Sequence, residues 1–339
     1  MFQNLPVPAS EPLREEVADT ETATEELPGG NVILIIIDTL RADHLSCYGY
    51  HRYTSPSIDS LTESGSLWTS FAAQSPWTLP SHASIWTGLS VRSHRTSLIT
   101  MEQMTDDESK NFALDPALPT LPELMSQGGY RTFGLANVCL LRDIYGFDRG
   151  FQQYSVHNAG HGRAEVSVDS LVHWLQLNGD DDFFCMLHLY DVHGPYDPPG
   201  QYGRLFQADP RSDVSCWITE DDAVQNPDDL EHLVSRYDGE IAWVDYNLEH
   251  GWVDHSHTLY SEVIFVPQIL SGPGNPPGTV NSSNVGQFDI LPTILAWNLS
   301  VLPLNVLWWA VPLSMAEVYG AVLITRFLSR KSSQSRLRG

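Results

Sequence analysis

The stretch that decides the fold is Asn31 to Asp38, NVILIIID. Its apolar core is rich in β-branched residues and never alternates with polar ones. That is the pattern of a parallel strand covered on both faces. The run ends on an acid, Asp38. Open parallel sheets bind their ligands at the carboxyl ends of strands, so this acid is placed for a metal or a substrate. A helix N-cap is also open to it. Working outward, TLPELMSQGGY (120–130) reads as a helix stopped by glycine, RTFGLAN (131–137) as a strand and VDSLVHWLQLNG (168–179) as a helix. DFFCMLHLYDVHGPY (182–196) reads as a buried strand running into a loop. In 230–251 the residues Leu233, Tyr237, Ile241, Val244 and Leu248 keep helical spacing, with Gly251 as a stop, and VIFVPQILSGPG (263–274) looks like the next strand and turn. Strands alternating with helices imply an α/β fold with a mostly parallel sheet flanked by helices.

At 339 residues the chain has length for one large domain or two ordinary ones. Acids outnumber bases 42 to 18, the formal charge is −24, and Lys110 and Lys331 are the only lysines. Nucleic acid is therefore not expected as a partner. Such a surface suits a protein kept soluble in concentrated salt, and a halophilic origin is expected. Cys47, Cys139, Cys185 and Cys216 lie far apart with no C-x-x-C spacing, so reduced, mostly buried thiols are expected rather than a zinc site or a disulfide framework. Residues 1–29 form an acidic leader without a basic n-region or an apolar h-region. It reads as disordered, and a cytoplasmic location follows. The α/β domain is expected over 30–295. The tail 296–339 is strongly apolar and then basic. Residues 301–328 read as a C-terminal membrane anchor, weakened by Pro303, Pro312 and Glu317, or as a buried helical segment.

Several segments, in order, resemble the sulfatase branch of the alkaline phosphatase superfamily. They are NVILIIIDTLRADHLSCYG (31–49), TLPSHASIWTG (78–88), LPELMSQGGYRTFGLAN (121–137) with YGFDRGF (145–151), HLYDVHGPY (188–196), YDGEIAWVD (237–245), HTLYSEVIFVPQILSGPG (257–274) and FDILPTIL (288–295). The resemblance implies an alkaline-phosphatase-like fold and hydrolysis of a sulfate ester. The family signature C-x-P-S-R with a later T-G falls on Thr78, Leu79, Pro80, Ser81 and His82, with Thr87 and Gly88. The nucleophile position is then Thr78, at a helix start whose free N–H groups favour an anion. In sulfatases the cysteine or serine there is oxidised to formylglycine, an aldehyde that threonine cannot give. A metal-activated alkoxide is the alternative, and threonine relatives are typically phosphate-ester hydrolases or phosphotransferases that pass through phosphothreonine. His82 replaces the family arginine and lacks its fixed fork of donors.

The resemblance also implies a divalent ion, calcium, magnesium or manganese, held by Asp38 with Thr39 in place of a family aspartate and with Thr78. Arg41 and Asp43 share that loop, where mutual pairing explains them as well as function does. His193 in DVHGPY corresponds to the family's H-x-P histidine, which contacts the oxygens of the transferring group. His257, or else His255, corresponds to a late residue that neutralises the ester oxygen. The substrate is expected to be a small-molecule or carbohydrate ester. Two departures stand out. By the resemblance, the family strand that carries Asp-His-Gly is expected to be missing where 248–252 joins two segments directly, and the smaller C-terminal subdomain is expected to be absent after 295. An inactive, truncated remnant, membrane-attached or unfolded, is thus a further reading.

Overall fold

The computed structural model describes residues 31–63, 65–96, 113–157, 164–206, 227–248, 268–271, 278–282, 285–287, 290–291, 294 and 321–328. In chain order the strands are β1 (Asn31–Asp38), β2 (Gly65–Trp68), β3 (Phe71–Ala72), β4 (Arg131–Ala136), β5 (Gln153–Val156), β6 (Phe183–Leu189), β7 (Gln268–Ser271), β8 (Thr279–Asn281), β9 (Val285–Gly286) and β10 (Ala321–Leu328). The helices are α1 (Pro56–Glu63), α2 (Thr78–Thr87), α3 (Val91–His94), α4 (Leu121–Gln127), α5 (Ala164–Asn178) and α6 (Pro227–Leu248). Eight strands form one sheet in the order β5-β4-β6-β1-β10-β7-β2-β8, and β3 pairs with β9 apart from it. β5, β4, β6 and β1 run parallel. β10 is antiparallel to β1, and β2 is antiparallel to β7. The sheet is mostly parallel and flanked by helices, as the alternating pattern implied.

β1 explains the layering. Successive side chains of a strand point to opposite faces. Val32, Leu34 and Ile36 join the core formed with Leu79, Ala83 and Trp86 of α2 and with Leu121 and Met125 of α4. Ile33 and Ile37 join the core on the other side, with Ile58 of α1, Trp174 of α5 and Tyr237, Ile241 and Val244 of α6. An apolar residue at every position of the run is thus required, because both faces are covered. The period also sends Asp38 toward α2, two residues beyond Ile36 on the same face.

The helix boundaries obey local chemistry. α4 starts with a capping box, in which Thr120 accepts from the Glu123 N–H and the Glu123 carboxylate accepts from Thr120, and Pro122 sits in its first turn. α2 ends at Gly88, which takes φ 66°, a left-handed conformation that glycine adopts freely. The YGFDRGF segment is pinned by Gly150. Its φ is +84°, and a β-carbon there would lie 2.1 Å from the backbone nitrogen of Glu123.

Residues 321–328 differ from expectation. They were expected to close a membrane-spanning or buried helical segment, and they form β10 instead, in register with the whole of β1 from Asn31↔Leu328 to Asp38↔Ala321. The physical reason is non-local. Val322, Ile324 and Thr325 favour an extended backbone, and the ladder offered by β1 along the whole strand and by β7 along Leu323–Arg326 gives partners to backbone groups that a helix would otherwise pair internally. Among the described residues no helix is long and apolar enough to cross a membrane. The junction from 249 onward and the remainder of the tail lie outside the described residues. Among the described thiols Cys185 is buried, Cys47 half-buried and Cys139 exposed, and Cys216 lies outside the described residues.

Candidate active site

At the carboxyl end of β1 the Asp38 side chain is 2% exposed. The Thr78 hydroxyl donates to its Oδ2 at 2.8 Å. The partner arrives because α2 begins at Thr78, after Trp77 in an extended conformation that caps the helix without a side-chain bond. The Trp77 side chain does not cap the start of α2, and the positive end of the helix dipole favours negative charge near Thr78. Gln287 fixes this first turn from the far side. Its Oε1 accepts from the Ser81 hydroxyl at 2.6 Å and from the Gln74 N–H at 2.9 Å.

The next residue, Thr39, holds φ at 79°. Left-handed backbone is an outlier for a β-branched residue and marks stored strain. Its carbonyl accepts from the Tyr237 hydroxyl at 3.0 Å, and the same hydroxyl accepts from the Arg41 N–H at 3.0 Å. Its own Oγ1 is buried without a hydrogen-bond partner among the described residues. Arg41 pairs with Asp43 at 2.6 Å, the structural alternative foreseen for both. The loop is secured further on by Asp238, which is fully buried and accepts from His44 at 2.7 Å, Tyr50 at 2.7 Å and Arg52 at 2.6 Å.

His82 lies one turn along α2 from Thr78 and is 1% exposed. Its Nδ1 is 2.7 Å from the Thr78 carbonyl, which can only accept, so Nδ1 carries the proton and Nε2 a lone pair. Burial first, and the neighbouring His188 second, hold its pKa down to about 3 against the opposing pull of Asp38. A neutral imidazole with its N–H already spent cannot replace the arginine fork as an anion donor.

His188, not singled out by the sequence reading, joins the group. It is fully buried, its ring lies 4.9 Å from that of His82, and its Nε2 is 3.5 Å from Asp38 Oδ2. The signal in the sequence was a lone imidazole inside the apolar run Phe183–Leu189. His193 stacks on Tyr190 with ring centroids 4.3 Å apart and planes 16° from parallel, and its Nδ1–H donates to the Gly194 carbonyl at 3.0 Å. Tyr190 in turn lies 6.4 Å from the His188 ring. Burial, and then the Asp38 charge, push the Tyr190 phenol well above its ordinary range. Asp38, Thr78 and His82 thus converge, Thr39 follows Asp38 in the chain with its carbonyl bound to Tyr237, His193 connects to the group through Tyr190 and His188, and His257 and His255 lie outside the described residues.

The donor set bears on a divalent ion as follows. Oxygens on adjacent corners of an octahedral ion with bonds of about 2.0–2.1 Å lie about 3 Å apart. The 2.8 Å between Asp38 Oδ2 and Thr78 Oγ1 matches that spacing. One carboxylate and one hydroxyl at that spacing would be part of a hard-ion shell, and the Thr39 Oγ1, buried without a hydrogen-bond partner among the described residues, is chemically suited to join them. Among the described residues no cluster of three or more His, Cys, Asp or Glu forms a site.

The chain matches the sulfatase family model over residues 30–250. It is 24% identical over 200 residues to an N-acetylglucosamine-6-O-sulfatase of Bacteroides thetaiotaomicron, covering 54% of this chain and 34% of that relative's length. The fold is similar to a phosphonate monoester hydrolase of Agrobacterium radiobacter, with TM-score 0.63, 18% identity and coverage of 79% of this chain and 73% of the other. It is also similar to a protein solved in complex with its substrate D-glucosamine-2-N,6-O-disulfate, with TM-score 0.55, 15% identity and coverage of 82% and 78%. With the acid-ended strand and the threonine-led helix at its carboxyl end, these matches place the chain in the sulfatase family.

Proposed function

We propose that this chain hydrolyses a sulfate ester of a small molecule or carbohydrate, with the Thr78 hydroxyl as the attacking group. The observation that carries the reading is the 2.8 Å contact between Thr78 Oγ1 and Asp38 Oδ2 at the start of α2. Asp38 accepts the hydroxyl's hydrogen and turns an oxygen lone pair outward. A divalent ion held by Asp38, Thr39 and Thr78 would lower the pKa of that hydroxyl. Thr78 Oγ1 then bonds to sulfur, its proton passing to Asp38 Oδ2, as the ester S–O bond breaks and the alcohol leaves with a proton supplied by the late histidine, His257. The N–H groups at the start of α2 stabilise the equatorial oxygens, and His193 adds its Nε2–H in the doubly protonated form, its Nδ1–H being held by the Gly194 carbonyl. Water cleaves the threonine ester and releases sulfate. His82, neutral and bound to the Thr78 carbonyl, holds the first turn of the helix instead of contacting the anion. The sulfated sugars named for the similar proteins support the substrate class.

A second reading replaces sulfur by phosphorus. It is favoured by Thr78 itself, which cannot become formylglycine, and by the phosphonate hydrolase among the similar folds. Paired assays on an aryl sulfate and an aryl phosphate with calcium, magnesium or manganese separate the two, with Thr78→Ala as control. Turnover that persists in Thr78→Ala refutes the role of Thr78. No turnover of either ester and no metal binding would identify the remnant.

A further inference from the structure

His188 lies in the middle of the sheet, opposite Ile36 in the parallel register of β6 with β1, so it faces the side of the sheet from which Asp38 meets α2. A solvent-free imidazole in an otherwise apolar strand is costly unless its polar atoms are used. Its Nδ1 accepts from the Asn137 backbone N–H at 3.5 Å, which puts the proton of the neutral ring on Nε2. That N–H has no hydrogen-bond partner among the described residues and stands 3.5 Å from Asp38 Oδ2, the oxygen that Thr78 also reaches. The facing ring, His82, is neutral and turns its N–H to the helix backbone, so it offers no cation to compete. A histidine that merely filled volume here would be served better by leucine, which continues the run Phe183–Leu189.

We propose that His188 is a positioning residue: its Nε2–H holds the Asp38 carboxylate in the orientation that presents Oδ2 to Thr78. The contact is long at 3.5 Å, and contacts within catalytic groups often tighten only in the reacting complex. This rests on the reading that Asp38 and Thr78 act together on one ion. Hydrogen-bond partners behind a ligating carboxylate tune its affinity by about 10–100-fold, so the effect is measurable without turnover.

The test is calorimetric titration of the full chain with manganese chloride, with circular dichroism and melting curves recorded for every variant. Wild type should bind and Asp38→Ala should not. His188→Leu and His188→Met should weaken binding by about 10–100-fold, whereas His188→Gln, which keeps an N–H at the same reach, should stay within about threefold. If Asp38→Ala abolishes binding and His188→Leu leaves it unchanged, this proposal is wrong and the reading of Asp38 stands. If His188→Gln loses as much affinity as His188→Leu, the donor role is wrong. If both apolar variants fail to fold, His188 is a structural residue and the proposal is overturned. If wild type does not bind, or Asp38→Ala binds as wild type does, the underlying reading fails as well.

Discussion

Replacing Thr78 by valine tests the contact on which the site is built. The two side chains have nearly the same shape, so the substitution deletes the hydroxyl that donates to Asp38 Oδ2 at 2.8 Å and little else. A hydrogen bond to a charged group contributes about 1.5–3 kcal/mol, and Asp38, only 2% exposed, cannot recover the loss from solvent. With unfolding entropy of about 2.1 cal/mol/K per residue, the 339 residues give about 0.7 kcal/mol/K, so a loss of about 2 kcal/mol lowers Tm by about 3 °C. Thr78→Ser keeps the hydroxyl and should lose less than half as much. The assay is calorimetric melting in chelator, at neutral pH and fixed ionic strength. A valine variant as stable as wild type, or a serine variant as damaged as the valine one, would show that Thr78 and Asp38 are not bonded in the folded chain.

Other expectations follow from burial and backbone geometry. His82, held down to about 3 from 6.5, is a proton site that the folded chain refuses and the unfolded chain accepts. Its contribution is complete above about pH 6.5 and is lost as pH falls toward 3, so His82→Leu should flatten the urea stability profile across that window. Asp191 has the opposite sign. Burial pushes its carboxyl up to about 7, so the folded chain keeps a proton that the unfolded chain releases, and stability falls as pH rises from about 4 to 7. Asp191→Asn, which still accepts from the Ala164 N–H, should raise Tm at pH 8 by several degrees and much less at pH 5; equal effects at both would refute the buried acid. Gly150→Ala adds a β-carbon 2.1 Å from the Glu123 nitrogen at φ +84°, and should cost more than about 2 kcal/mol by urea unfolding.

The parts that were legible in the sequence are those governed by neighbours along the chain. The unbroken run 32–37 announced a strand covered on both faces, and its closing acid announced Asp38 at the carboxyl end. Thr78, Pro80 and Gly88 bounded α2 through local backbone preferences. The parts that were not legible depend on partners far away in sequence. The run 321–328 is apolar enough for a helix or a strand, and only the ladder with β1 decides between them. His188 read as one more residue of a buried strand, because its meaning comes from a carboxylate on another strand and a ring on α2. The neutral state of His82 likewise follows from burial and from the Thr78 carbonyl, neither visible in TLPSHAS.

The claim that Thr78 attacks the ester is tested most directly by trapping the intermediate. The full chain, supplied with manganese, is mixed with an aryl sulfate or an aryl phosphate, quenched in acid during turnover and digested for mass spectrometry. The account expects one sulfuryl or phosphoryl group on the peptide containing Thr78, absent in Thr78→Val, with accurate mass telling sulfur from phosphorus. Turnover undiminished in Thr78→Val, or the group found on a different residue, would contradict it.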